Sequence, residues 1–133
     1  MSAVSSMIDS HPQGGGVDKQ LLAECIEACF SCAQTCTACA DACLSEDSVA
    51  DLRDCIRTDL DCADICAATG TVLTRLTGSN TATVRALLEA CRTACAECAA
   101  DCEEHADHHE HCRICAEACR RCEKACAALL ESL

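Results

Sequence analysis

The chain of 133 residues has few aromatic or bulky aliphatic side chains. It contains one Phe, Phe30, and neither Tyr nor Trp. Half of its residues are hydrophobic, but most of these are Ala or Cys, so a core built from them is narrow and has little apolar area. There is also only one Pro, at position 12. Because Ala favours helix and no Pro interrupts the chain beyond that position, the composition predicts an all-α fold.

Basic residues are scarce as well. Ten Lys and Arg against 22 Asp and Glu give a net charge of −12, which argues against nucleic-acid binding because that requires basic patches. No apolar run approaches the roughly 20 residues of a membrane span. The N-terminal residues have neither the basic start nor the apolar run of a signal peptide; they read MSAVSSMIDSHPQGGG. We therefore expect a cytoplasmic protein that binds neither nucleic acid nor membrane.

Cysteine is what the chain has in abundance, with eighteen residues. From Cys25 to Cys43 they recur in alternating steps of four and three residues, and from Cys112 to Cys126 in steps of three and four. This alternation places the thiols on one face of a helix that packs against partner helices. Such a face normally carries Leu or Ile. The pattern therefore indicates that the core itself is the functional site.

A secreted disulfide scaffold is the usual interpretation of so many cysteines in a short chain. Cysteines one turn apart on a helix are poorly placed for stabilising disulfides, because a bridge between them closes a very short loop and restrains the chain little. A cytoplasmic chain keeps its thiols reduced, and reduced thiols in such number favour metal binding.

Helix signals along the chain predict two regions, a flexible tail over residues 1–17 and a helical domain over residues 18–133. The tail is rich in Ser and Gly. In the domain, cap and breaker residues predict four helices, which span about residues 18–44, 48–76, 81–104 and 107–130. Four helices with short connections pack most simply as an antiparallel, up-down-up-down four-helix bundle with a cysteine-lined core.

This topology makes the two ends of the bundle different. One end collects thiols and the histidines of the turn between the third and fourth helices. The other end collects aliphatic residues, namely Leu22, Leu73, Leu76, Val84, Leu88, Leu129 and Leu130. The sequence therefore predicts a core that is closed by aliphatic side chains at one end and lined by imidazoles at the other.

Thiolates are soft donors that select Cu(I), Zn(II) or iron–sulfur clusters. One Cu(I) per thiolate leaves the core neutral, whereas one Zn(II) with four thiolates leaves two negative charges whose burial is costly. We therefore predict many Cu(I) ions per chain, on the order of the thiol count. A zinc or cadmium thiolate buffer is the alternative, followed by a thiol redox sensor, which would need one or two cysteines of depressed pKa.

The candidate metal ligands are all eighteen cysteines together with three histidines and one aspartate. The cysteines are Cys25, Cys29, Cys32, Cys36, Cys39, Cys43, Cys55, Cys62, Cys66, Cys91, Cys95, Cys98, Cys102, Cys112, Cys115, Cys119, Cys122 and Cys126. His105 and His109 continue the cysteine alternation beyond Cys102, so we rank them first, then His111, and His108 last.

Asp59 falls on the inner stripe of the second helix, where a buried carboxylate would be costly if unpaired. It either faces the histidine end or binds an ion. A slight rotation of the helix would place Thr58 inward in its stead.

The four cysteine segments resemble those of the copper storage proteins, and more specifically their cytosolic class. The resemblance covers about residues 18–133 and rests on the segments CIEACFSCAQTCTACADAC, CIRTDLDCADIC, CRTACAECAADC and CRICAEACRRCEKAC. It implies a bundle that stores Cu(I) on inward cysteines, with histidine ligands at one end and assembly into homotetramers. The expected role is storage and copper tolerance rather than catalysis. The copper donor would be a chaperone or a small thiol.

Overall fold

The computed structural model describes residues 2–14 and 16–133. Over these residues the chain forms five α-helices and one short 3-10 helix. They are α1 (Ala3–Ser10), α2 (Lys19–Leu44), the 3-10 helix (Val49–Leu52), α3 (Arg53–Leu73), α4 (Thr81–His105) and α5 (Glu110–Ser132).

Helices α2 to α5 form the four-helix bundle. Helix α2 packs against α3 and α5, and α4 packs against the same two helices, so that the four surround a common axis. The connections between consecutive helices are short, and consecutive helices therefore run antiparallel. The predicted all-α bundle with a cysteine-lined core is confirmed.

The start of α2 agrees with the sequence, whereas α3 differs. Asp18 precedes α2, and its Oδ1 accepts a hydrogen bond of 3.0 Å from the backbone N–H of Leu21. The sequence predicts that the next helix begins at about residue 48, but the side chain of Ser48 makes no cap hydrogen bond. A 3-10 turn intervenes and buries Leu52 in the core, and α3 begins only at Arg53.

The end of α3, the end of α4 and the start of α5 differ by a few residues from the boundaries predicted from the sequence. Helix α3 ends at Leu73, three residues before the predicted Leu76, and Gly78 has a φ of +73° in the loop that follows. Helix α4 continues to His105, slightly beyond its predicted end, and α5 begins at Glu110 rather than near Asp107. The connection between α4 and α5 is therefore shorter than the connection between α3 and α4.

The N-terminal segment contains a helix where the sequence predicted a flexible tail. Helix α1 begins after Ser2, whose Oγ accepts a hydrogen bond from the backbone N–H of Ser5, and it packs against α2. Ile8 is buried in that contact, and Val4 packs against the same core. The Ser and Gly content predicts a flexible segment, but the apolar side chains of Val4 and Ile8 hold the helix against the core. Met1 and Gly15 belong to the predicted tail but lie outside the described residues.

None of the helices in residues 2–14 and 16–133 combines the length and the apolar character that crossing a membrane would require.

The aliphatic end should dominate the stability of the metal-free bundle. Leu88 is fully buried there. We expect L88A to lower the free energy of unfolding by about 2–5 kcal/mol, because it removes buried methyl groups and leaves a cavity. The measurement is urea denaturation of the reduced, metal-free protein, followed by far-UV circular dichroism.

The matched control is I114A on α5, where the side chain is 47% exposed. It should change the free energy of unfolding by no more than about 0.5 kcal/mol. A wild-type protein without helical circular dichroism in the absence of metal would contradict the prediction that the fold forms before metal binds.

Candidate metal centre

All eighteen thiols point into the bundle. Each cysteine is 0–1% exposed and none is in a disulfide. Six lie on α2, three on α3, four on α4 and five on α5, so every helix of the bundle contributes. The sequence placed these residues on the inner faces, and the structure brings them together there.

In the middle of the bundle, the Sγ atoms come close to one another across the axis. The Sγ of Cys36 lies 3.6 Å from that of Cys119, 3.7 Å from that of Cys115 and 3.9 Å from that of Cys98. Cys36 and Cys98 belong to α2 and α4, which are on opposite sides of the ring of helices. Side chains as small as Cys leave no bulk between the helices, and the thiols therefore meet on the axis.

The same network continues toward the aliphatic end. The Sγ of Cys66 lies 3.6 Å from that of Cys95, 3.8 Å from that of Cys91 and 4.0 Å from that of Cys122. The thiols nearest the aliphatic end are Cys25 and Cys126, with their Sγ atoms 3.8 Å apart. The chain of close sulfur atoms thus runs along most of the bundle.

Several sets of four donor atoms lie within 4.8 Å of one another, which is compact enough to share metal ions. Four such sets are Cys29, Cys91, Cys122 and Cys126; Cys32, Cys66, Cys95 and Cys122; Cys32, Cys36, Cys62 and Cys119; and Cys36, Cys98, Cys115 and Cys119. Adjacent sets have members in common. A thiolate that belongs to two sets can bridge ions in both, so the core is one continuous binding region.

Asp59 lies inside this thiol core and is fully buried. Its Oδ1 accepts hydrogen bonds from the Sγ atoms of Cys98 (3.0 Å), Cys115 (3.3 Å) and Cys102 (3.5 Å). Its Oδ2 is buried without a hydrogen-bond partner. The alternative rotation is wrong, because Thr58 is only partly buried and donates a hydrogen bond of 2.8 Å to Asp101.

Burial raises the pKa of Asp59 to about 12, and the neighbouring thiols Cys115 and Cys98 add to the shift. The carboxyl group is therefore protonated and neutral at neutral pH. A cation that arrives nearby would favour loss of this proton and would turn Asp59 into a charged oxygen donor. The side chain is thus suited to respond to metal.

The thiols do not single out a redox pair. A hydrogen bond from Cys119 lowers the pKa of Cys62 to about 6, and one from Cys126 lowers that of Cys122 to about 7. Cys62 belongs to no CxxC sequence. At the histidine end, burial instead raises the pKa of Cys43 and of Cys112. The lowered pKa values arise from contacts spread through the network, not from one isolated pair of cysteines.

His111 is the imidazole that reaches the thiols. Its Nδ1 lies 3.5 Å from the Sγ of Cys39, 3.6 Å from that of Cys112 and 4.0 Å from that of Cys43. These four residues form another compact donor set. His111 is in the first turn of α5 and remains partly exposed, so this set joins the buried core to the surface.

The other histidines are placed differently from the ranking made on sequence. The Nδ1 of His105 lies 3.0 Å from the backbone oxygen of Asp101. The ring of His109 stacks on that of His111 with centroids 5.3 Å apart, and its Nδ1 lies 2.8 Å from Glu46 Oε2. His108 is exposed. His105 is the last residue of α4, and its ring faces the backbone of its own helix; His109 lies beyond the end of α4, where the helical periodicity no longer applies.

Glu46 is not among the candidate residues that the sequence identifies. Its Oε2 lies 2.9 Å from the Nε2 of His111 as well as 2.8 Å from the Nδ1 of His109. These contacts join residues more than sixty positions apart, and nothing in the local sequence signals them.

The raised pKa of Asp59 should make stability depend on pH. In the unfolded chain Asp59 ionises near its ordinary value of 3.8, but in the folded protein it keeps its proton to about pH 12. The contribution of Asp59 to the free energy of unfolding is therefore fully present below pH 3.8, and it is lost progressively as the pH rises above that value. Relative to D59N, wild type should lose on the order of 1 kcal/mol of unfolding free energy per pH unit.

Urea denaturation of the reduced, metal-free proteins between about pH 5 and pH 7 measures this difference. The control is D61N, which changes an exposed aspartate of the same helix and should keep a constant offset from wild type. A constant offset for D59N as well would show that Asp59 is ionised in the folded protein.

Comparison with known proteins finds a matching family and similar solved structures. Residues 18–131 match the family described as copper storage protein. The chain is 57% identical to the copper storage protein Ccsp of Streptomyces lividans, solved loaded with 10 copper equivalents. The TM-score is 0.97, and the match covers 98% of this chain and 100% of that one.

Two further solved structures are similar. A cytosolic copper storage protein from Streptomyces lividans, solved with five coppers, is 62% identical over 90% of this chain and 99% of its own, with a TM-score of 0.87. The Cu(I)-bound copper storage protein BsCsp3, from Bacillus subtilis, is 36% identical over 80% of this chain and 94% of its own, with a TM-score of 0.71. With its thiol-lined bundle matched over residues 18–131, the chain belongs to the copper storage protein family.

Proposed function

We propose that this protein stores many Cu(I) ions in the cytosol, on thiolates inside the bundle, and thereby protects the cell from copper. The observation that carries the proposal is the run of overlapping four-donor sets along the bundle axis. Single-site metalloproteins need one such set. Overlapping sets suit an ion that accepts two or three sulfur ligands and shares them with its neighbours.

Charge favours Cu(I) over divalent ions in this core. Across residues 2–14 and 16–133, the buried polar side chains are Asp59 and Thr69, and neither is basic. A Zn(II) ion on four thiolates would leave two negative charges without a buried cation to balance them. One Cu(I) ion per thiolate leaves no uncompensated negative charge. The same argument disfavours the zinc or cadmium buffer.

Copper is taken up at the histidine end in this proposal. The set of Cys39, Cys43, Cys112 and His111 includes a partly exposed imidazole, whereas Leu22, Leu73, Leu88 and Leu129 are buried at the opposite end. A neutral nitrogen donor at the surface can bind Cu(I) while the ion exchanges ligands with its carrier. The carrier is a copper chaperone or a small thiol.

From that set the ion moves inward by ligand exchange. Cys102 lies between the two regions, since its Sγ is 3.6 Å from that of Cys55 and 3.5 Å from Asp59 Oδ1. Asp59 also contacts Cys115, which in turn contacts Cys36 at the centre. Each step exchanges one donor for another at short distance, and each thiol gives up its proton as it binds. Asp59 is proposed as an oxygen ligand in the early steps.

The complete ligand set in this proposal is the eighteen cysteines, His111 and Asp59, with His105 and His109 assisting at the surface. The protein acts by binding and not by catalysis. It assembles as a homotetramer, and apolar residues on the outer faces of α2 and α3, such as Phe30 and Leu60, are exposed in the single chain and available for such contacts.

The first prediction from this function concerns capacity. Titration of the reduced protein with Cu(I), in competition with a Cu(I) chelator, should saturate on the order of the thiol count of eighteen. Protons should be released throughout the titration, because thiols must ionise to bind. Zinc should bind in smaller number and be displaced by Cu(I). Saturation at a few Cu(I) ions per chain would exclude a storage role.

The second prediction concerns the route of uptake. H111A should slow Cu(I) loading by about ten-fold, because it removes the imidazole that links the surface to the thiols, while capacity changes little. Stopped-flow mixing with a Cu(I) complex measures the rate. The control is H108A, which alters an exposed histidine of the preceding turn. Equal loading rates in the two variants would rule out His111 as part of the route.

A further inference from the structure

Glu46 connects the loop after α2 to both imidazoles at the histidine end. One carboxylate oxygen, Oε2, lies 2.8 Å from the Nδ1 of His109 and 2.9 Å from the Nε2 of His111. The two rings stack with planes 18° apart, so they approach this oxygen side by side. Both distances are those of short, charge-assisted hydrogen bonds.

An ionised carboxylate can only accept hydrogen bonds. Each imidazole nitrogen that faces Glu46 must therefore carry a proton, and these are different nitrogens in the two rings. A neutral imidazole has one N–H, so its other nitrogen keeps a free lone pair. In His111 that free nitrogen is Nδ1, the atom that lies 3.5 Å from the Sγ of Cys39 and 3.6 Å from that of Cys112. In His109 it is Nε2.

We propose that Glu46 is a positioning residue that holds His111 in the tautomer with Nδ1 free, so that this nitrogen is ready to bind Cu(I) beside the thiols. The opposite tautomer would place an N–H toward the sulfur atoms and leave no nitrogen lone pair there. Carboxylates that accept from a ligating histidine fix its ring orientation and raise its basicity in metal sites generally. Glu46 is in position to do the same for both imidazoles.

This inference rests on the proposed uptake of Cu(I) at the histidine end, but its structural part can be tested without copper. The informative variant is E46A, which removes the oxygen that both rings contact and with it the constraint on both tautomers. The matched variant is E46Q, because a glutamine side chain has nearly the same size and its amide oxygen has two lone pairs with which to accept from both rings. E46Q therefore removes the charge and keeps the acceptor.

The first measurement is long-range ¹H–¹⁵N correlation of the histidine rings in the reduced, metal-free protein. It is made at mildly alkaline pH, because contacts with Cys39 and Glu46 outweigh burial and raise the pKa of His111. Wild type should show His111 with the proton on Nε2. E46A should show a mixture that includes the tautomer with the proton on Nδ1, whereas E46Q should keep the proton on Nε2. The control D47N removes one negative charge from the neighbouring exposed position and should leave the wild-type pattern.

The second measurement is the rate of Cu(I) loading. E46A should load about ten-fold more slowly than wild type and D47N, with unchanged capacity, and the rate of E46Q should lie closer to wild type than to E46A. If His111 keeps the Nε2–H tautomer in E46A, the inference is wrong, whatever the loading rate. A changed tautomer with unchanged loading would also overturn it. Failure of the storage function would appear separately, as low Cu(I) capacity in wild type.

Discussion

Burying charge is costly, and this cost governs what the interior of the bundle can hold. Within the part of the chain that the structure describes, the buried polar side chains are one carboxyl group and one hydroxyl group, and the remaining interior is aliphatic carbon or thiol. Burial holds the proton of Asp59, so this carboxyl group adds no charge in the absence of metal. Replacement of each thiol proton by a monovalent cation adds no net charge to the interior. The choice of Cu(I) over a divalent metal follows from this balance.

The shape of the interior follows from the size of the side chains. Because Cys and Ala occupy most inner positions, the helices approach closely and sulfur atoms from opposite helices meet on the axis, as Cys36 and Cys98 do. Most of the larger buried aliphatic side chains lie at one end, where they supply the apolar packing that a thiol core lacks, and Leu52 is buried at the other end. Stability and storage are thus assigned to different parts of the same bundle.

The histidine end links the neutral interior to the surface. Glu46 contributes a full charge, but it stays partly exposed and contacts the imidazoles from the outside. His111 therefore has a charged neighbour on its outer nitrogen and thiols on its inner nitrogen. Asp59 lies deeper and is kept neutral by burial. Glu46 is therefore charged and Asp59 neutral, because Glu46 is in contact with solvent and Asp59 is buried.

Much of this was predictable from the sequence. The steps of three and four residues between cysteines require a helix with the thiols on one side, and short connections between such helices require an antiparallel bundle. The identity of the core as the metal-binding region, the preference for Cu(I) and the different chemistry of the two ends follow from residue type and helical period alone. These properties depend on interactions between near neighbours in the chain.

The tertiary structure decided the rest. It showed that Asp59 and not Thr58 turns inward, that His111 and not His105 or His109 reaches the thiols, and that Ile8 holds an N-terminal helix against α2. It also brought Glu46 to His111 across 65 residues. Each of these features depends on where a helix ends, how it rotates, or how a loop approaches a distant segment. Helical periodicity determines which residues share a face, but it stops at the end of the helix, and contacts beyond that point exist only in three dimensions.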